Sequence, residues 1–233
     1  WGSGKSTILN FVLYYLEHEF VELPVIPIRF NPWWFSGRED LTRLLIGQIR
    51  AQLGDKDYGE LKGKLADYTE LVTTIPGVPG KDAGGIIAKI LRRGTDIISL
   101  KNRIDDLLRA SDNRILVIID DIDRLAPDEV SDLFRTIKAT GNFPNVIYLL
   151  AFDIAVVVES LKKTFIPDAR SYLEKIVQVP LSLPLPDKAA LRRLLFARLS
   201  EITADADEAN FDSVYWGNIY YGGIDHFIVT PRD

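Results

Sequence analysis

Two short stretches hold residue types that can do chemistry together. The chain begins "WGSGKST", Trp1 to Thr7. Gly2, Ser3 and Gly4 are small, so successive backbone N–H groups can turn inward around a polyphosphate that a larger side chain would crowd. Lys5 then reaches the β- and γ-phosphates, Ser6 offers a hydroxyl to Mg²⁺, and Thr7 completes the turn. The apolar run Ile8–Leu16 reads as a helix whose positive N-terminal end faces the same phosphates. A Gly-rich turn before an ordinary helix is the plainer alternative. The complete motif, G-x-x-x-x-G-K-[ST], requires one more glycine two positions before Trp1. The expectation is that this span comes from a longer chain, whose preceding residues supply that glycine and a strand beside the one ending at Asp120. The absence of methionine points the same way.

The second stretch is "RILVIIDDIDRL", Arg114 to Leu125. Its unbroken apolar run, Ile115–Ile119, is the pattern of a central parallel strand buried on both faces. Two adjacent carboxylates follow, where a sheet opens to solvent. In nucleotide hydrolases the first acid there holds Mg²⁺ and the next polarises the attacking water. Asp120 takes the metal role with Ser6, and Asp121 the catalytic one. An aspartate-rich turn would look similar in isolation; the upstream phosphate loop favours the chemical reading.

The elements that must position these groups are readable in outline. Pro24–Phe30 is a short strand whose prolines make it peripheral. The polar-aromatic "NPWWF" leads into an amphipathic helix with Leu41, Leu44, Leu45 and Ile49 at helical spacing. Trp33 and Trp34 are packing aromatics before they are a base-stacking platform. "PDEVSDLFRTIKAT" opens with Pro127 and acids, a helix start. "NVIYLLAFD" is a further buried strand ending at Asp153, and "KIVQVPL" a fourth candidate. The proline-rich "VPLSLPLPD" breaks the chain before a helix, "KAALRRLLFARLSEI", taken as the beginning of a helical lid. Alternating strands and helices make an α/β, doubly wound plan with a mainly parallel sheet, whose ligands sit at the carboxyl ends of the strands. Lys5, Asp120, Asp121 and Asp153 are expected to gather there.

Composition narrows the function classes. A chain of 233 residues with 47% hydrophobic and 26% charged residues is long enough for a sizeable core. The net charge of −5 means that any nucleic-acid contact must come from a local basic patch. Cysteine is absent, which excludes disulfides and thiolate chemistry. His18 and His226 have no neighbours at metal-site spacing. No signal peptide and no apolar stretch long enough to cross a bilayer is visible, so the default location is the cytoplasm.

In the order of its motifs, the chain resembles the KAP family of P-loop NTPases, a branch related to AAA+ and STAND ATPases. The resemblance rests on "WGSGKST", "RFNPWWF", "IDDIDRL", "LLAFD", "YLEKIVQVPLSLP" and "TPRD". It implies a P-loop three-layer αβα core, with ATP and Mg²⁺ as cofactors. It also implies Asp153 near the position that senses the γ-phosphate, with Arg124 and Arg232 as charge-sensing candidates. On this plan residues 1–51 and 114–182 are the core, 52–113 a helical insert, and 183–233 part of a lid. Many family members insert transmembrane helices; here the interval is soluble in character. Lys81–Arg103 is mainly basic and interleaved with isoleucines, which suits a helix packed on the core, a protein or nucleic-acid contact, or least of all a membrane surface. Self-association is a further option.

Three functions follow from the resemblance. The first is an ATPase switch in bacterial phage defence or signalling. The others are a non-hydrolysing ATP-dependent scaffold and an AAA+-like DNA-handling motor. Asp121 favours hydrolysis, since mere binding needs no water-polarising acid, and the acidic net charge argues against the motor. ATP rather than GTP is analogy alone.

Overall fold

The computed structural model describes residues 4–20, 24–37, 40–73, 97–140, 142–164, 166–184, 187–206 and 211–230. The chain divides into two compact units, Leu9–Gln178 and a second made of Trp1–Ile8 with Val179–Asp233. Helix α1 (Lys5–His18) begins in the second unit and continues into the first.

The unit Leu9–Gln178 is built on a parallel sheet of β1 (Val25–Phe30), β2 (Arg114–Ile119) and β3 (Val146–Leu150), in that spatial order. Phe30, Ile119 and Leu150 lie level, so all three strands reach the same carboxyl edge. β2 is central and buried on both faces, which is why it reads as an unbroken apolar run. Ile115, Val117 and Ile119 point to one face and join the larger core. Leu116 and Ile118 point to the other, where Leu9 and Leu13 of α1 cover them. Each of these side chains contributes roughly 1.5–3 kcal/mol by leaving water. β1 is an edge strand, as its prolines require; Pro27 lies opposite Leu116. The upstream strand expected beside the one ending at Asp120 has no place there, because β1 and β3 pair with both edges of β2.

The larger core fills the face opposite α1. It is covered by α2 (Leu41–Gln52), α5 (Pro127–Thr140) and α6 (Ile154–Lys163). This unit is therefore a three-layer α/β structure, as expected. α2 packs on β1 and on α5, where the Thr42 and Thr136 hydroxyls meet at 2.6 Å. Short α7 (Ala169–Glu174) packs on α6. "KIVQVPL" is not a strand. The turn at the end of α7 bonds the N–H groups of Ile176 and Val177 back to the Leu173 carbonyl, and Pro180 then denies a ladder donor.

Residues 52–113, read in sequence as an insert, supply α3 (Asp55–Thr73) and a helix, α4, described over 97–109. Leu53, Leu61, Leu65, Tyr68, Ile104 and Leu108 belong to the same core cluster as β1 and β2. Polar ties reinforce the packing. Asn145, which takes a left-handed turn (φ 59°) just before β3, donates from Nδ2 to the carbonyls of Leu108 at 2.8 Å and Ser111 at 3.2 Å. Tyr148 of β3 is partly buried, and desolvation of its hydroxyl pushes the pKa up to about 12, although Thr140 bonds it at 2.7 Å.

The second unit contains α8 (Lys188–Ile202) and α9 (Ser213–Gly222), followed by a 3₁₀ turn at Ile224–His226. Its pin is a buried carboxylate. Arg192 of α8 grips Asp225 with two bonds, 2.7 and 2.8 Å, and the fully buried Tyr220 donates to it at 3.1 Å. Phe196, Trp216 and Tyr221 ring Tyr220.

Two outcomes are expected. Replacing residues 54–109 with a short Gly-Ser bridge removes the α3 and α4 side chains from the core, so the truncated protein should aggregate or lose cooperative unfolding; a cooperative melt like the parent's would show the segment to be dispensable. The Arg192 bonds hold the Asp225 carboxyl down to about 2, from an ordinary 3.8. A depressed carboxyl stabilises the fold above its unfolded pKa and loses that contribution as pH falls through the folded value. The stability gap between parent and Asp225→Asn should therefore be constant above pH ~5 and close between pH ~4 and 2, as measured by urea unfolding.

Candidate active site

The carboxyl end of β2 delivers the paired acids. Asp120 is half-buried and its Oδ1 accepts the backbone N–H of Asp121 at 2.8 Å. Asp121 then turns left-handed (φ 60°), a conformation aspartate tolerates better than most residues. Its side chain meets Asn31, the residue directly after β1, whose Nδ2 donates to Asp121 Oδ2 at 3.0 Å. The orientation of the Asn31 amide is fixed by its own loop. Oδ1 accepts from the N–H of Trp33 at 3.1 Å and caps the 3₁₀ turn Pro32–Phe35, which leaves the NH₂ for the carboxylate. The other oxygen of Asp121 pairs with Arg124 Nε at 2.8 Å, and the Arg124 guanidinium lies 5.4 Å over the Trp33 ring. Trp34, by contrast, is 71% exposed and does not pack as an interior aromatic.

A second tie fastens the same two loops. Glu129, in the first turn of α5, reaches back to the N–H of Ala126 at 2.9 Å, the reciprocal half of a capping box. It also accepts the Gly37 N–H at 2.6 Å and the Ser36 hydroxyl at 2.8 Å. Partial burial works against its charge, but these donors win and hold its carboxyl below the usual range. Gly37 has φ +74°, which lets the chain reverse there.

The first turn of α1 carries the phosphate-loop residues Lys5, Ser6 and Thr7. Gly4 precedes it at φ +84°, and its carbonyl accepts the Ile8 N–H at 2.9 Å. Three features fit a bound polyphosphate. A Cβ built on Gly4 would meet no heavy atom within 4 Å, so the backbone there is approachable. The left-handed φ favours glycine. No acid occupies the first turn, so the turn carries no charge of its own against the positive helix end. The Ser6 hydroxyl and the Asp120 carboxylate are each, taken separately, hard oxygen donors of the kind that suits Mg²⁺. Among the described residues no three His, Asp or Glu side chains converge as an all-protein cage. Gly2, Ser3 and Arg232 lie outside the described residues, as does 81–96 of the basic segment.

The structure thus brings Asp120, Asp121 and Arg124 together with Asn31. Asp153 reaches the same sheet edge after β3 but serves α6 as its N-cap, accepting from Ala155 N–H at 2.9 Å and Val156 N–H at 3.4 Å. Sequence reasoning missed Asn31, read as loop, and Glu129, read as an ordinary helix-start acid. The spacing of Glu129 from Ala126 was the visible signal for the second.

A parallel sheet with paired carboxylates after its buried strand, and a glycine-led helix carrying Lys5 and Ser6, define a phosphate-loop domain of the nucleotide-binding class. The family described as the KAP family P-loop domain matches across residues 1–233, and the chain belongs to it. A curated relative, the Phage T7 exclusion protein of Escherichia coli (strain K12), is 26% identical over 225 residues, covering 82% of this chain. The chain spans 30% of that relative's length. Among the described residues no helix is long and apolar enough to cross a membrane.

Glu129→Ala should lower stability by about 1 kcal/mol through the lost cap, as read by equilibrium denaturation. Glu129→Gln, which keeps an acceptor, should recover part of it.

Proposed function

We propose that this domain is the ATP-hydrolysing switch of a cytoplasmic phage-defence protein. The observation that carries the reading is the oriented carboxylate: Asp121, next to Asp120 at the end of the buried strand, has Oδ2 held by Asn31 at 3.0 Å. A binding site without turnover has no use for a second acid so placed. The defence role draws on the relative named for phage exclusion.

Each residue then has a part. Backbone N–H groups from Gly2 to Thr7 hold the phosphates, and Lys5 bonds the β- and γ-oxygens. Ser6 and Asp120 would hold Mg²⁺, which would neutralise charge on the phosphate oxygens. Asp121 accepts the proton of a water molecule as the water oxygen bonds to the γ-phosphorus and the bond to the β–γ bridging oxygen breaks, releasing ADP and phosphate. Asp153 stands as the residue that responds to the γ-phosphate.

In the full-length protein Lys5→Ala should weaken ATP binding by roughly 2–5 kcal/mol, the cost of removing one partner of a desolvated charge pair. Asp121→Asn should retain binding and slow hydrolysis about 10²-fold or more. Fluorescent ATP titration and phosphate release measure the two. Parent-like affinity in Lys5→Ala would remove the phosphate-loop assignment, and parent-like turnover in Asp121→Asn would leave a nucleotide-bound scaffold as the better account.

A further inference from the structure

Asp121 is held by more groups than its orientation needs. Its backbone is set by the left-handed turn and by its N–H bond to Asp120 Oδ1. Its side-chain plane is set by Asn31 on Oδ2. Arg124 adds an ion pair on Oδ1, the oxygen left for a water proton. An oxygen shared with a guanidinium carries less negative charge to offer a water molecule, and less open space in which to receive one.

The origin of the ion pair points the same way. Arg124 follows Asp121 by three residues in the 3₁₀ turn Ile122–Arg124, and its guanidinium is steadied by the ring of Trp33. Trp33 is itself fastened to Asn31 through its N–H. The side chain of Arg124 is 36% exposed and that of Asp121 21%, so the pair sits at the rim rather than in the core. Ion pairs in such surroundings are weak and open readily. Asn31, by contrast, is fixed by a backbone cap of its own loop.

We propose that Arg124 is a removable clamp on Asp121, seated on Trp33, while Asn31 is the residue that positions the same carboxylate for catalysis. The two neighbours therefore have opposite effects on turnover. Arg124 restrains it until the guanidinium swings away, and Asn31 supports it throughout. Arg124 acts through Asp121 and makes no phosphate contact in the clamped state. The proposal rests on the reading of Asp121 as the water-polarising acid.

The test uses the full-length protein with three variants, Arg124→Gln, Trp33→Leu and Asn31→Ala, beside Asp121→Asn. Arg124→Gln and Trp33→Leu should raise kcat for ATP, by up to about fivefold for a rim ion pair, with KM and ATP affinity unchanged. Asn31→Ala should lower kcat about tenfold to hundredfold, again at unchanged affinity. A readout without nucleotide checks the contact itself. Phenylglyoxal modification of Arg124, followed by peptide mass spectrometry, should run about threefold faster or more in Asp121→Asn and Trp33→Leu than in the parent. Equal modification rates would overturn the clamp, and so would a fall in kcat or in ATP affinity for Arg124→Gln. If Asp121→Asn hydrolyses ATP like the parent, the underlying role of Asp121 fails and the proposal falls with it. An inactive Asp121→Asn beside a slowed Arg124→Gln would overturn the clamp alone.

Discussion

Burial of β2 on both faces is the constraint on which the rest depends. A strand covered by α1 on one side and by the α2, α5 and α6 layer on the other cannot shift register without exposing Ile115, Val117 and Ile119 or Leu116 and Ile118. Its end point is therefore fixed, and Asp120 is the first residue able to carry charge. Parallel pairing brings Phe30 and Leu150 to the same level. Asn31 consequently arrives beside the acids without any bond of its own having to draw it there. The hydrogen bond from Asn31 to Asp121 is thus a product of the sheet, and its geometry is as secure as the core.

The loops above the sheet are held differently. Beyond Asn31, residues 32–37 are joined to the Asp121–Glu129 segment through the Arg124–Trp33 stack and through Glu129 with Ser36 and Gly37. These contacts are partly exposed and polar, so each is individually weak beside the apolar layers below. The sheet places the acids, and the polar loop contacts surround them at the rim.

Much of this was legible in the sequence, for reasons that are local. The apolar run before "DD" declares a doubly buried strand, and the prolines of "PVIPIRF" declare an edge. Pro127 and the acids after it declare a helix start. The failures were non-local. "KIVQVPL" has strand composition, but the preceding helix ends in a turn that captures Ile176 and Val177. The core membership of α3, through Leu61, Leu65 and Tyr68, follows from contacts that no local pattern announces. Asn31 gave no sign of its partner because ninety positions separate it from Asp121. Trp34 looked like an interior aromatic by residue type alone, yet it stands exposed.

The division of labour between the adjacent acids is the central claim, and manganese reports on it directly. Mn²⁺ titration of the ATP-loaded, full-length protein, followed by electron paramagnetic resonance, measures the metal site apart from turnover. Asp120→Asn should weaken Mn²⁺ binding by about tenfold or more, whereas Asp121→Asn, held by Asn31 and away from the metal role, should leave it as in the parent. Equal weakening by both substitutions, or none by Asp120→Asn, would contradict the account.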